Sequence, residues 1–101
     1  MDLEYFKSHI MEELEGAKDY IIRAMELKPM NSSWAKNLSD MSAQELSHAM
    51  MLFNMFNEYC STLAANYAEL PDYVRDIRDE ITPKFMECSA NIKHMHEQYN
   101  K

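Results

Sequence analysis

Residues 41–52 read MSAQELSHAMML, an uninterrupted segment without glycine or proline. At helical spacing Met41, Glu45, His48 and Leu52 fall on one face. The stripe extends back to Leu38 and forward through Met55 to Tyr59, with steps that alternate between three and four residues, as a helix-packing seam requires. Two ionisable side chains, Glu45 and His48, therefore stand in what otherwise has the character of packing surface. Ionised groups are costly in such a place unless something compensates them.

The surrounding chain supports helix throughout. One glycine and three prolines occur in 101 residues, and no alternating run of β-branched residues is bounded by turn signals. Pro29, with Asn31, Ser32 and Ser33 behind it, marks a first break, and Leu70-Pro71-Asp72 a second. The punctuation predicts an all-α chain with helices over residues 2–28, 33–68 and 72–100, the last kinked, or stopped and restarted, at Thr82-Pro83. The kink is the favoured of the two.

The first segment carries its own stripe at Leu3, Phe6, Ile10, Glu13, Ala17, Tyr20, Ala24 and Leu27, in which only Glu13 is charged. The third segment gives Val74, Ile77, Ile81, Phe85, Cys88, Ile92, Met95 and Tyr99, with no charged member. Glu13 and Glu45 each lie sixteen residues from Pro29. In an antiparallel hairpin that turns near Pro29 both stand about 24 Å from the turn at ~1.5 Å per residue. They face each other at one level, and His48, three residues along, shares the face of Glu45. Two facing carboxylates repel unless a cation or a proton sits between them. Carboxylates with one imidazole suit iron, manganese or zinc.

A lone Glu-x-x-His is weak evidence, and its ordinary reading is a solvent-facing helical pair; the matched level of Glu13 and the seam placement strengthen it. Di-iron bundles use one Glu from each of two helices and Glu-x-x-His from each of two others. Half of that set is present once each, as Glu13 and Glu45-x-x-His48. MEELEGAKDY and QELSHAMML resemble the ligand-bearing helices of the ferritin-like superfamily, and most nearly those of encapsulated ferritins and half-ferritins. The resemblance covers roughly the first 65 residues and includes Tyr20, seven positions after Glu13. It implies a hairpin that dimerises into a four-helix bundle and a ferroxidase linked to iron storage or detoxification. It further implies a di-iron site of two metals per dimer, with Glu45 bridging and Glu13 and His48 as terminal ligands. Tyr20 would be an outer hydrogen-bond partner, and a protein shell a possible host.

A second class of function is a structural or interaction protein, such as a virion or scaffold component on a ferritin-like bundle. Residues 72–101 exceed a minimal hairpin, and the chain ends in HEQYNK with no docking tail, which favours that class somewhat. The intact ligand set favours the enzyme.

The formal charge of −7 argues against a nucleic-acid partner. No apolar run approaches the ~20 residues of a membrane span, and residues 1–10 do not read as a signal peptide, so the expectation is a cytoplasmic protein. Cys60 and Cys88 are expected as reduced thiols. His94 and His96 read as surface histidines, Glu12 and Glu15 as solvated neighbours of Glu13, and His9 has no evident partner in the sequence.

Overall fold

The computed structural model describes residues 2–67 and 69–101. They form three helices, α1 (Leu3–Leu27), α2 (Ser32–Tyr67) and α3 (Asp72–Tyr99). The expected end of the second helix at residue 68 lies outside the described residues.

Each start has a local cause. Asp2 caps α1, its carboxylate accepting from the Tyr5 backbone N–H at 3.1 Å. Asn31 caps α2 by accepting from the Trp34 N–H at 3.0 Å, so that helix begins one residue before the expected Ser33. The connection is tight: the N–H groups of Met30 and Asn31 both donate to the Leu27 carbonyl. At α3 the Pro71 carbonyl accepts from Val74 and Arg75.

Pro83 lies inside α3, which runs past it without a stop. Of the two expectations for Thr82-Pro83, the stop and restart is therefore corrected. Proline removes one donor from the helix ladder. Its exposed position and the buried residues on either side, Ile81 and Phe85, let tertiary packing carry the helix across.

α1 and α2 form an antiparallel hairpin, and α3 runs parallel to α1 along one side of it. Both ends of α3 are fastened to α1. Near the N-terminal ends, Lys7 pairs with Glu80 at 2.9 Å, and this contact, with Lys84 beside it, holds the Glu80 carboxyl below its ordinary range. At the other ends, the Lys28 ammonium donates to the Tyr99 carbonyl and lies over its ring, 4.6 Å from the centroid. The result is a rod of 55 × 20 × 16 Å.

The core is built from Leu3, Phe6, Ile10, Leu14 and Ala17 of α1, Leu46, Ala49, Phe53 and Phe56 of α2, and Val74, Ile77, Ile81, Phe85 and Ile92 of α3. Phe53 and Phe85 stack with centroids 4.1 Å apart. At one level all three helices meet around a buried hydroxyl: Ser42 donates to the Ala17 carbonyl at 2.6 Å, and the His96 Nε2 stands 2.9 Å from its oxygen. Because the serine hydrogen is committed to Ala17, His96 must donate through Nε2. Burial lowers the pKa of His96, which favours that neutral form. His96 is thus a packed, hydrogen-bonded residue rather than the surface histidine expected.

The expected stripe of α3 is buried at Val74, Ile77, Ile81, Phe85 and Ile92, whereas that of α2 is corrected by one position and that of α1 at two of its members. In α1 Leu3, Phe6, Ile10, Ala17 and Ala24 are buried as expected, but Leu14 and Ile21 take the places expected for Glu13 and Tyr20, which stand on the shoulder. In α2 the buried set is Ala35, Ser39, Ser42, Leu46, Ala49, Phe53, Phe56 and Cys60. The stripe from Leu38 to Tyr59 lies beside it, with Met41, His48 and Met55 exposed. Cys60 and Cys88 are both free thiols. No helix among the described residues is long and apolar enough to cross a membrane.

Truncating the enclosed Phe56 to alanine should cost about 3–5 kcal/mol in urea unfolding followed by circular dichroism. Met86→Ala, at a position 60% exposed, should stay within about 0.5 kcal/mol of wild type. Equal losses from the two would place the core elsewhere.

Candidate metal centre

Helical geometry decides which side chains share a face. Positions 11, 14, 15 and 18 of α1 line a hollow against Cys88, Asn91 and Ile92 of α3. Glu13 projects from the opposite side of that helix. On α2, Leu46 packs into the three-helix core, whereas Glu45 and His48 turn away from it. All three polar side chains therefore converge on the face of the hairpin that α3 leaves uncovered.

They come together closely. One ligand atom from each of Glu13, Glu45 and His48 lies within 4.8 Å of the others. Atoms that share one ion at bond lengths of 2.0–2.2 Å stand roughly 3–3.5 Å apart, so a closure of about 1 Å by side-chain adjustment suffices. Glu13 is more enclosed than His48, with its side chain 15% exposed against 56%.

The two oxygens of Glu13 differ. Oε1 is 3.4 Å from His9 Nε2. Oε2 is buried and has no hydrogen-bond partner among the described residues; His48 Nδ1 lies 3.6 Å away. A buried carboxylate oxygen without a donor is unfavourable, and an ion at this position would satisfy it.

Glu45 has its pKa raised above the ordinary carboxyl value. The leading cause is a hydrogen bond with Glu13, followed by burial and the charge of Glu13, while His48 and His9 pull the other way. A hydrogen bond between two carboxyl groups requires a proton. In the metal-free chain the pair therefore favours protonation of Glu45, and a cation would relieve the same repulsion.

Gly16, the only glycine in the chain, sits in the middle of α1 against this pair. A Cβ built there would lie 3.2 Å from Glu45 Oε2. Glycine inside a helix costs roughly 0.5–1 kcal/mol relative to alanine. Its absent side chain is the cradle that admits the Glu45 carboxylate between the helices. The orphaned oxygen, the cradle and the mixed carboxylate–imidazole donors together fit a divalent transition-metal ion.

The remaining site residue expected from the sequence, Tyr20, is half-buried on α1 and makes no hydrogen bond to the cluster among the described residues. His9 and Gly16 take part in the arrangement without having been legible as site residues. The spacing of His9 four residues before Glu13, which puts both on one helix face, is the signal that could have found it. α3 supplies no member of the cluster.

No family model matches the chain, and neither a curated protein nor a solved structure matches it.

Two expectations follow for the metal-free protein. A carboxyl whose folded pKa is raised contributes stability below its unfolded pKa, which is lost as pH rises through the folded value. Glu45→Gln keeps a donor for Glu13 and removes one charge, so it should exceed wild type in stability at pH 7. At the dielectric constant of water the repulsion relieved is about 1 kcal/mol, or ~4–8 °C in Tm. The difference should fade below about pH 4, near the unperturbed carboxyl pKa, and a less stable variant at pH 7 would contradict the repulsion between Glu13 and Glu45. Gly16→Ala should raise helix stability by about 0.5–1 kcal/mol yet weaken divalent-metal binding by calorimetry, roughly ten-fold. Unchanged metal affinity in that variant would show that the cradle is irrelevant to the site.

Proposed function

We propose that the chain is a ferritin-like metal-binding protein that oxidises Fe(II), with a dinuclear centre completed by a second copy docked on the uncovered hairpin face. The observation that carries this reading is the Glu13–Glu45–His48 cluster with its orphaned oxygen, Oε2 of Glu13.

The surroundings of the cluster support association. Trp34, Leu38, Met41, Leu52, Met55 and Tyr59 share its face of α2 at steps of three and four residues. Trp34 is 64% exposed, Met41 40% and Met55 50% in the single chain. Apolar residues in register along a whole helix form the seam through which hairpins pair into bundles. A two-fold axis on this face would double each ligand with no further sequence.

Iron is substrate in this scheme. Two copies of Glu13 and Glu45 carry four negative charges, which balance two Fe(II) ions. Glu45 would lie between the two ion positions, while Glu13 and His48 would each close one of them. Each Fe(II) loses one electron, and dioxygen takes both together with two protons and leaves as hydrogen peroxide. The carboxylates bind and orient the ions and offset the added charge of Fe(III). The acidic balance of the chain favours collecting cations.

Adding Fe(II) anaerobically, admitting air and following near-ultraviolet absorbance tests the chemistry. Prompt oxidation is expected for wild type and none above the buffer rate for Glu45→Ala. Sedimentation with metal analysis should find metal-stabilised dimers holding two ions per two chains, about 3.5–4 Å apart by X-ray absorption. A monomer that retains metal tightly would overturn the shared centre. Dimers that form without oxidising iron would leave the interaction-protein reading, with metal as a structural clamp or absent.

A further inference from the structure

The imidazole of His9 stands beside the cluster, and neither the ligand set nor the core accounts for it. It lies one helical turn before Glu13 and is held on both sides. Its ring stacks on Tyr5, with centroids 5.3 Å apart and planes 14° from parallel. Its Nε2 is 3.4 Å from Glu13 Oε1, and its Nδ1 is 3.9 Å from Glu12 Oε2.

We propose that His9 is a positioning residue that occupies Oε1 of Glu13 and thereby makes Glu13 a one-oxygen ligand through Oε2. The proposal rests on the metal-binding reading above. The geometry divides the carboxylate in this way: one oxygen faces an imidazole nitrogen, and the other is buried with no partner and faces His48. His9 itself does not belong to the group of mutually close ligand atoms, which contains only Glu13, Glu45 and His48. It therefore acts through Glu13 and not on the ion. Carboxylates that bind metals are commonly held by a hydrogen bond to the oxygen the metal does not use, which fixes their orientation and denticity. Stacking on Tyr5 limits the rotation of the ring and keeps Nε2 beside Oε1.

Cobalt(II) titration tests the assignment, because its visible spectrum reports the number and geometry of bound atoms as well as affinity. His9→Phe keeps an aromatic ring beside Tyr5 and removes the N–H. His9→Gln places an amide N–H near the position of Nε2. Circular dichroism on both variants checks that α1 is retained, as expected for a side chain that is 36% exposed. The expected result is a loss of about 10–100-fold in affinity for the phenylalanine variant. Its spectrum should shift toward a higher coordination number as Glu13 turns both oxygens to the ion. The glutamine variant should recover the wild-type spectrum and come within a few-fold of its affinity.

Wild-type affinity and spectrum in His9→Phe would overturn the proposal. Equal losses in the two variants would also overturn it, because His9 would then be a ligand. A wild-type protein that takes up no cobalt, iron or zinc would refute the metal reading itself, which separates that failure from a failure of the role of His9.

Discussion

The short connection from Lys28 to Asn31 leaves α1 and α2 no freedom of register. The Leu27 carbonyl takes the N–H groups of both Met30 and Asn31, and Asn31 at once caps the next helix, so the chain reverses within a few residues. Two helices of equal rise per residue, started from a fixed reversal, must bring positions equally far from it side by side. Glu13 and Glu45 meet for that reason. Every other feature of the cluster follows from the meeting: the raised pKa of Glu45, its close approach to Gly16, and the placement of His48 one turn further along.

This arrangement works against the stability of the isolated chain. Like charges are brought together, one carboxylate oxygen is enclosed without a donor, and the sole glycine is placed inside a helix. Alanine at position 16 and a neutral side chain at position 45 would each satisfy local physics better. Native chains keep such local conflicts at sites of function and offset them elsewhere. Here the offset comes from the close-packed layer on the other side of the hairpin, where Ile10, Ala17, Ala49, Phe56, Val74 and Ile92 are wholly enclosed.

The helices were legible because breakers are so few that Pro29 and Pro71 stand out, and the level of Glu13 with Glu45 followed from counting residues. The sidedness of the helices was less accessible. α2 carries two adjacent stripes, Leu38–Tyr59 and Ala35–Cys60, displaced by about one residue, and both satisfy the same spacing. The first contains larger apolar side chains and reads as core. The second includes Ser39, Ser42 and Ala49, whose small size lets α1 approach closely but gives little hydrophobic signal. The same competition placed Glu13 and Tyr20 on the seam in preference to Leu14 and Ile21. His96 escaped because its partner, Ser42, is 54 residues away in the sequence. Gly16 escaped because a lone helical glycine announces a close approach without saying to what.

With three helices, a chain of this shape cannot cover every face of its hairpin. α3 settles against α1 on the side away from Glu13, Glu45 and His48, tied there by Lys7–Glu80 and by Lys28 at Tyr99. It thereby encloses the stripe of small residues and leaves the stripe of methionines in water. The two stripes thus differ in role: one folds the chain, and the other stands exposed beside the candidate ligands. Since the candidate ligands lie on the second stripe, the proposed ion capture and the proposed pairing would be thermodynamically linked. Any ion that binds the paired state more strongly than the separate chains must favour pairing to the same extent that pairing favours the ion. The third helix contributes no ligand, yet its side decides the exposure of the cluster: a helix packed on the other side of the hairpin would bury Glu13, Glu45 and His48.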